Sequence, residues 1–304
     1  MEFARLPRFK RTAEIAPIQL TRRDREIIRL IHRHRFLRSS HIVALMGDSA
    51  QQLLRRLQLL YHHGYLERPR AQIDYYHRGG SRHIVYGLGS KGAPLLKHES
   101  GVVLQVFNWS QKNRSIARLF LEHALLVSDV MVAIELACRR SGGIRMLTGD
   151  QLLLDATNDH GKTFQWSVNI ASRLKLGLIP DGVFALESEH APGNPAYFFL
   201  EADRGTMPVM RESLAQSSFY RKLLAYEATW AQNVHHTRFG FHRFRVLTVT
   251  TSAQRALHLA ATASELEKGH GLFLFADARS LLVQTPLSPV WRTPMSDRLT
   301  SLLD

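Results

Sequence analysis

Two apolar runs of strand length constrain this chain more than anything else in it. Leu178-Ile-Pro-Asp-Gly-Val-Phe-Ala-Leu186 and Tyr197-Phe-Phe-Leu-Glu-Ala-Asp203 are separated by a polar break, and each carries carboxylates near one end. These are Asp181 in the first run and Glu201 and Asp203 in the second. Side chains alternate across a strand, so residues two apart share a face, and Glu201 and Asp203 project together. If the runs pair as neighbouring strands, Asp181 can join them. Three carboxylates at adjacent strand ends repel one another unless a cation sits among them. Asp181, Glu201 and Asp203 are therefore the expected ligands of a hard cation. A helix-like segment holding Arg221, Lys222 and Tyr226 follows.

The rest of the chain has to say what such a site would act on. Its 304 residues are 45% hydrophobic, enough to bury more than one core. The formal net charge of +14 is spread unevenly. Residues 1–90 hold seventeen Lys and Arg against seven Asp and Glu, a surplus of ten, with seven of the sixteen histidines. A module of this kind usually meets a polyanion, nucleic acid ahead of a membrane surface; the alternative is a solvated cationic surface. A single cysteine, Cys138, excludes disulfides within the chain and Cys-rich zinc modules. No run of eighteen uncharged apolar residues occurs, and the N-terminus lacks the apolar core of a signal peptide. A soluble cytoplasmic protein with no membrane partner is expected.

Residues 1–18, basic and holding Pro7 and Pro17, read as a flexible arm, and residues 19–96 as one module. Thr21, with Asp24 three residues on, is the start of a helix whose inward stripe is Ile27, Ile28 and Ile31. A short second helix runs through Ile42 and Leu45 to Gly47. Ser49 starts a third, with Leu53, Leu54, Leu57, Leu60 and Tyr61 inward and Gln51, Gln52, Arg55 and Arg56 outward. Two strand-like runs, Tyr65–Pro69 and His83–Leu88, flank a glycine turn bounded by Arg78 and Arg82. Three helices and a hairpin make a winged helix-turn-helix, whose third helix enters the major groove by its N-terminal end. Gln pairs bidentately with adenine and Arg with guanine. Ser49, Gln51, Gln52, Arg55 and Arg56 are thus the expected groove contacts to double-stranded DNA, and Arg78, Arg82 and His83 those of the wing. The alternative is a tri-helical protein-interaction module with a solvated basic face.

Other signals are weaker. Gly87-Leu-Gly-Ser-Lys-Gly92 matches G-x-G-x-x-G after a strand, but Pro94 follows and no βαβ unit does, so the glycines end the wing and open a short helix. The pairs His32/His34, His62/His63 and His235/His236 lack a third ligand at zinc spacing and read as surface or DNA-facing. No His-hydrophobic-His triplet accompanies a tyrosine, so Tyr220 and Tyr226 read as helix-packing residues rather than nucleophiles.

Residues 97–114 read as a linker and 115–304 as a second domain. It opens with a long helix, roughly Ser115 to Arg140, with a stripe of Ile116, Leu119, Phe120, His123, Val127, Val130, Met131 and Ile134. A strand candidate from Ile144 to Leu154, a polar insertion over 157–177 with Trp166, and the two carboxylate runs come next. A helix from about Pro208 to Ala231, a strand from Phe244, a helix over Ala253–Glu267, the short strand Leu272–Phe275 and a tail over 281–304 complete it. The order implies an α/β (α+β) domain with a mixed sheet flanked by helices.

Pro180-Asp181 on one strand and Glu201-x-Asp203 on the next resemble the PD-(D/E)XK nuclease superfamily. The chain over roughly residues 20–291 resembles, more specifically, the replication-relaxation family of plasmids and integrative mobile elements. The residues that carry this are the segment ending at Tyr86-Gly-Leu, His123, Ile179-Pro-Asp-Gly-Val183, Phe199-Leu-Glu-Ala-Asp-Arg-Gly-Thr206, Lys222 with Tyr226, and Thr285-Pro-Leu-Ser-Pro-Val-Trp291. The resemblance implies a winged helix joined to a restriction-endonuclease-like domain. It also implies a role in replication or mobilisation with metal-dependent DNA nicking, alongside other relaxosome or replication proteins. It departs from the superfamily at one place. The second strand there ends in carboxylate-x-lysine, whereas Asp203 stands at the lysine position here. Lys222 is the candidate for a migrated lysine and Arg204 a second, so the expected catalytic set is Asp181, Glu201, Asp203 and Lys222. A buried Asp203–Arg204 pair is the structural alternative. Two rival functions stay open: a non-catalytic accessory factor of the relaxosome or replication complex, and a winged-helix transcriptional regulator. A homodimer is the default for a winged-helix reader, although no coiled-coil seam supports one.

Overall fold

A computed structural model of the protein describes residues 7–12, 15, 17–47, 49–73, 83–100, 109–155, 163–171 and 174–304. The fold is mixed α/β. It divides into two units, Met1–Asp129 and Val130–Asp304.

The first unit begins with α1 (Arg22–His34), held at its start by a reciprocal capping box. The Thr21 hydroxyl accepts from the Asp24 amide at 3.2 Å, and the Asp24 carboxylate accepts from the Thr21 amide at 2.7 Å. Ile27, Ile28 and Ile31 are fully buried. β1 (Phe36–Arg38), α2 (Ser39–Met46), α3 (Ala50–His62), β2 (Leu66–Glu67) and β3 (Val85–Leu88) follow. The strands form an antiparallel sheet in the order β1-β3-β2. The expected two-stranded hairpin therefore has a third strand, drawn from the short apolar pair Phe36-Leu37 between the first two helices.

The glycine motif after β3 is a packing device. A Cβ on Gly89 would stand 2.3 Å from the Gly64 carbonyl oxygen, and one on Gly92 2.5 Å from that of Tyr65. Gly92 opens α4 (Gly92–Ser100), and α5 (Trp109–Arg114) comes later in the stretch read as a linker. The N-terminal arm is not wholly loose either. Arg11 donates to the Tyr61 and Leu66 carbonyls and, at 2.8 Å, to the buried Glu67 carboxylate. Arg68, itself buried, lies with its guanidinium 4.2 Å from the Tyr61 ring centroid and donates to the Tyr86 hydroxyl.

α6 (Arg118–Ser141) starts in the first unit and ends in the second. Its buried face in the first unit is Leu121, Ala124 and Leu125, with the Ser128 hydroxyl donating to the Phe36 carbonyl at 2.7 Å. Leu119 and Phe120, expected on the inward stripe, are 65% and 38% exposed. The sequence Leu119-Phe-Leu-Glu-His-Ala-Leu-Leu-Val127 is apolar enough to offer two stripes at helical spacing, and packing selects the one shifted by a residue.

The second unit is built on a seven-stranded mixed sheet in the order β12-β11-β10-β9-β8-β7-β4. The strands are β4 (Ile144–Thr148), β7 (Gly182–Ser188), β8 (Ala196–Asp203), β9 (Phe244–Thr250), β10 (Phe273–Asp277), β11 (Trp291–Thr293) and β12 (Ser296–Thr300). β8, β9 and β10 run parallel, and the remaining pairings are antiparallel. A separate hairpin, β5 (Trp166–Ala171) with β6 (Leu174–Leu178), occupies most of the described part of the polar insertion. Trp166, Val168, Leu176 and Leu178 on it are buried, and the Trp166 indole donates to Thr229 at 2.8 Å. α7 (Gly149–Asp155) replaces the second half of the long strand expected after Ile144. α8 (Phe219–Ala231), α9 (Val234–Phe239), α10 (Ala253–Ser264) and α11 (Ala278–Val283) complete the unit. Phe199, Tyr226, Phe239, Phe241 and Phe244 share its main core. Among the described residues, no helix is long and apolar enough to cross a membrane.

Candidate functional site

β7 and β8 pair antiparallel with Gly182 opposite Leu200, and β8 and β9 pair parallel with Glu201 opposite Thr248 and Asp203 opposite Thr250. Asp181 sits one residue before β7. Its amide donates to the Leu200 carbonyl at 2.9 Å, and its carboxylate accepts from the Ala202 amide at 2.8 Å. The first aspartate is thereby fixed beside the peptide that follows Glu201.

Glu201 is 1% exposed, and both of its oxygens are engaged by one helix. α8 is capped by Ser218, whose hydroxyl accepts from the Arg221 amide at 3.3 Å. Lys222 and Tyr226 lie four residues apart on it and so share a face. The Lys222 ammonium donates to Oε2 of Glu201, and the Tyr226 hydroxyl donates to Oε1 at 2.6 Å. Burial pushes the Glu201 carboxyl up, Lys222 pulls it down and the Asp181 charge pushes it up again, with a net rise. Burial lowers the Lys222 ammonium, but Glu201, Asp181 and Asp203 together hold it above its ordinary value. Burial and then the Glu201 charge raise the Tyr226 phenol well above its usual range.

Asp203 lies on the same face of β8 but belongs to another network. The Thr250 hydroxyl donates to it at 2.9 Å and Arg255 Nε at 2.9 Å, and Arg255 Nη2 also donates to the Met207 carbonyl at 2.6 Å. Arg255, at the start of α10, is thus a cationic partner of the buried Asp203. Among the described residues, no group of three or more His, Cys, Asp or Glu side chains is arranged to hold a metal ion. Of the expected set Asp181, Glu201 and Asp203, Glu201 meets Lys222 and Asp203 meets Arg255, while the Asp203 charge also reaches Lys222. The Asp203 oxygens are turned to Arg255 and Thr250. Asp181, just before β7, and Glu201, on the adjacent β8, offer the hard oxygen chemistry that a divalent ion takes.

The expected DNA contacts are placed as follows. Ser49 stands at the start of α3 and makes no side-chain capping bond; it is exposed together with Gln51, Gln52 and Arg55. Arg56 is differently employed. Its guanidinium grips the buried Asp24 carboxylate with two bonds of 2.6 Å and donates to the Gln19 carbonyl. His83 is exposed before β3, and Arg78 and Arg82 lie outside the described residues.

A family model for replication-relaxation proteins matches residues 28–243. The chain belongs to the replication-relaxation family. Membership points to a role in replication and in the processing of mobile-element DNA. No curated protein and no solved structure matches the chain.

In this replication-relaxation protein, two residues at the carboxylates were not legible as site residues from the sequence. Tyr226 is a packing residue, as expected, with ring contacts to Phe199 and Trp166, but it is also a hydrogen-bond donor to Glu201. Its spacing of four from Lys222 was the available signal. Arg255 had none, since it meets Asp203 only through the crossover from β9 to α10.

Proposed function

We propose that the protein binds double-stranded DNA of a plasmid or integrative element during replication or mobilisation and nicks it at a PD-(D/E)XK-type site. The observation that carries the reading is the meeting of Lys222 with Glu201 and, through its charge, with Asp181. Two acids on neighbouring strands and a lysine from the next helix are the parts such chemistry needs, although Asp203 stands where the superfamily has its lysine. Asp181 and Glu201 would hold the divalent ion, Mg2+ or Mn2+. When bound, such an ion supplies charge for the scissile phosphate and acidifies a water. The peptide of Ala202 keeps the Asp181 carboxylate oriented. Tyr226 keeps one Glu201 oxygen occupied, so the other faces Lys222. The ammonium, held protonated by the surrounding acids, stabilises negative charge on a phosphate brought to it. The first unit is read as a winged helix that docks α3 in the major groove through Ser49, Gln51, Gln52 and Arg55, with His83 beside it. Arg56 secures the helix to α1 instead.

Incubation of supercoiled plasmid DNA with Mg2+ tests this. Wild-type protein is expected to accumulate open circles. Asp181→Ala and Lys222→Ala are each expected to slow this by a factor on the order of 100 or more, a typical loss for a group stabilising transition-state charge. Nicking by both variants at the wild-type rate would refute the site. A non-catalytic accessory role is the second reading, and a specific observation favours it. Both Glu201 oxygens and the Asp203 carboxylate already have donors within the chain. On that reading the wild type leaves the plasmid supercoiled.

A further inference from the structure

From Ala228 to Ser264 the chain holds no Asp or Glu, yet it holds four arginines and four histidines. Most of this run is core: β9, α10 and the aromatic residues Phe239, Phe241 and Phe244, all at most 6% exposed. Apart from the exposed His258 on α10, the most exposed of these basic residues lie at the corner where α8 ends and β9 begins. His236, His242 and Arg243 are exposed, and Arg238 and Trp230 lie beside them.

Ring geometry brings some of these residues together, and Arg238 and Arg243 lie within two residues of them in the chain. The His236 and His242 rings are 5.8 Å apart. Trp230 stacks on His235 at 4.8 Å and lies 6.1 Å from Phe244, the neighbour of Arg243. Arg238 leans over the Phe239 ring at 5.6 Å.

Two features separate this corner from an ordinary solvated basic face. First, its arginines are uncommitted. In the first unit Arg11, Arg25 and Arg56 are in ion pairs with Glu67, Glu99 and Asp24. Among the described residues, Arg238 and Arg243 make none, and the buried Nε of Arg238 has no hydrogen-bond partner. Second, the backbone that carries them is anchored to the core. α9 is bracketed by Asn233 at φ 55° and Gly240 at φ 72°, and Phe239, Phe241 and Phe244 anchor the turn on both sides. Side chains on such a platform lose little freedom when they bind.

The corner also lies away from the acids. Phe244 pairs with Tyr197 at the start of the parallel β8–β9 ladder, whereas Glu201 and Asp203 pair with Thr248 and Thr250 at its far end. A phosphate here would meet no carboxylate of that cluster.

We propose that His236, Arg238, His242 and Arg243 form a second nucleic-acid surface that holds a DNA strand by its phosphates, with the exposed Trp230 as a platform for an unpaired base. This goes beyond the nicking site and the reader helix, and it holds whether or not strand scission occurs. A membrane headgroup is disfavoured because Trp230, 38% exposed, is the only large apolar side chain among these exposed residues.

The test is fluorescence anisotropy of the full chain with labelled single-stranded and duplex 30-mers of random sequence, across a salt series. Arg238→Ala/Arg243→Ala is expected to weaken binding to at least one form about tenfold. The slope of log affinity against log salt should flatten by about 1.4 for single strands or 1.8 for duplex, two phosphate contacts' worth. Trp230→Ala is expected to weaken the single strand alone. If Trp230→Ala weakens both forms equally, the stacking role is wrong and only the phosphate contacts stand. An unchanged affinity and slope for the double variant on both DNAs overturns the proposal. Loss of binding to anionic lipid vesicles, with DNA binding intact, overturns it in favour of a membrane surface. An unchanged thermal transition shows that the comparison is between folded proteins.

Discussion

At the scale of single residues, the arrangement around Glu201 turns on one helix face. A carboxylate 1% exposed is costly to ionise unless its oxygens are met, and Lys222 and Tyr226 meet one each. Tyr226→Phe keeps the ring packing and removes only the hydroxyl. It should cost about 2 kcal/mol in denaturant unfolding, the scale for a hydrogen bond to a charged group. It should also raise the Glu201 pKa further, since a donor to the ionised form is lost. An unfolding midpoint equal to the wild type would show that the hydroxyl contributes nothing to holding Glu201. Strand parity, a local rule, put Glu201 and Asp203 on one face, whereas Lys222 came from the resemblance to the nuclease superfamily. Arg255 was not legible in the sequence. It stands 52 residues after Asp203, and no periodicity links positions so far apart.

At the scale of elements, the capping box at Thr21 could be read directly, because its partners are three residues apart. The double use of Asp24 could not. The same carboxylate that caps α1 also takes both arms of Arg56 from α3, and so fixes the helix pair whose outer face is read as the DNA reader. Burial raises the Asp24 carboxyl, but Arg56 and the Thr21 bonds outweigh it, so its pKa lies below the ordinary 3.8. A carboxylate with a lowered folded pKa stabilises above its unfolded value and loses that contribution as pH falls through the folded one. Asp24→Asn should therefore cost about 1–2 kcal/mol near neutral pH, discounted because Arg56 is partly exposed. The deficit should shrink below about pH 4. Unfolding curves for both proteins across that window check this, and a deficit constant with pH would contradict it. The β5–β6 hairpin and the β11–β12 pair at the sheet's edge were missed for related reasons. The first reads as polar, and its inward side is completed by α8. The second follows a proline-rich stretch that breaks the strand pattern.

At the scale of the whole molecule, the uneven charge was the informative quantity. A surplus of ten positive charges in the first ninety residues pointed to a polyanion before any motif was read. Membership of the replication-relaxation family agrees with that. The arginines of that stretch are not all free, however: Arg11 and Arg56 hold Glu67 and Asp24, acids already subtracted in that surplus, and Arg25 pairs with Glu99 beyond it. Net charge overstates what α3 alone presents, and the uncommitted arginines near Trp230 are one place where the second unit offers more. The central claim is that the phosphodiester site is Asp181 with Glu201, backed by Lys222, and that Asp203 serves the Arg255 network. Titration of Mn2+ followed by electron paramagnetic resonance tests it most directly. One ion per chain should bind the wild type, Asp181→Asn should abolish it and Asp203→Asn should retain it. Equal loss in both variants, or no ion bound by the wild type, would contradict the account.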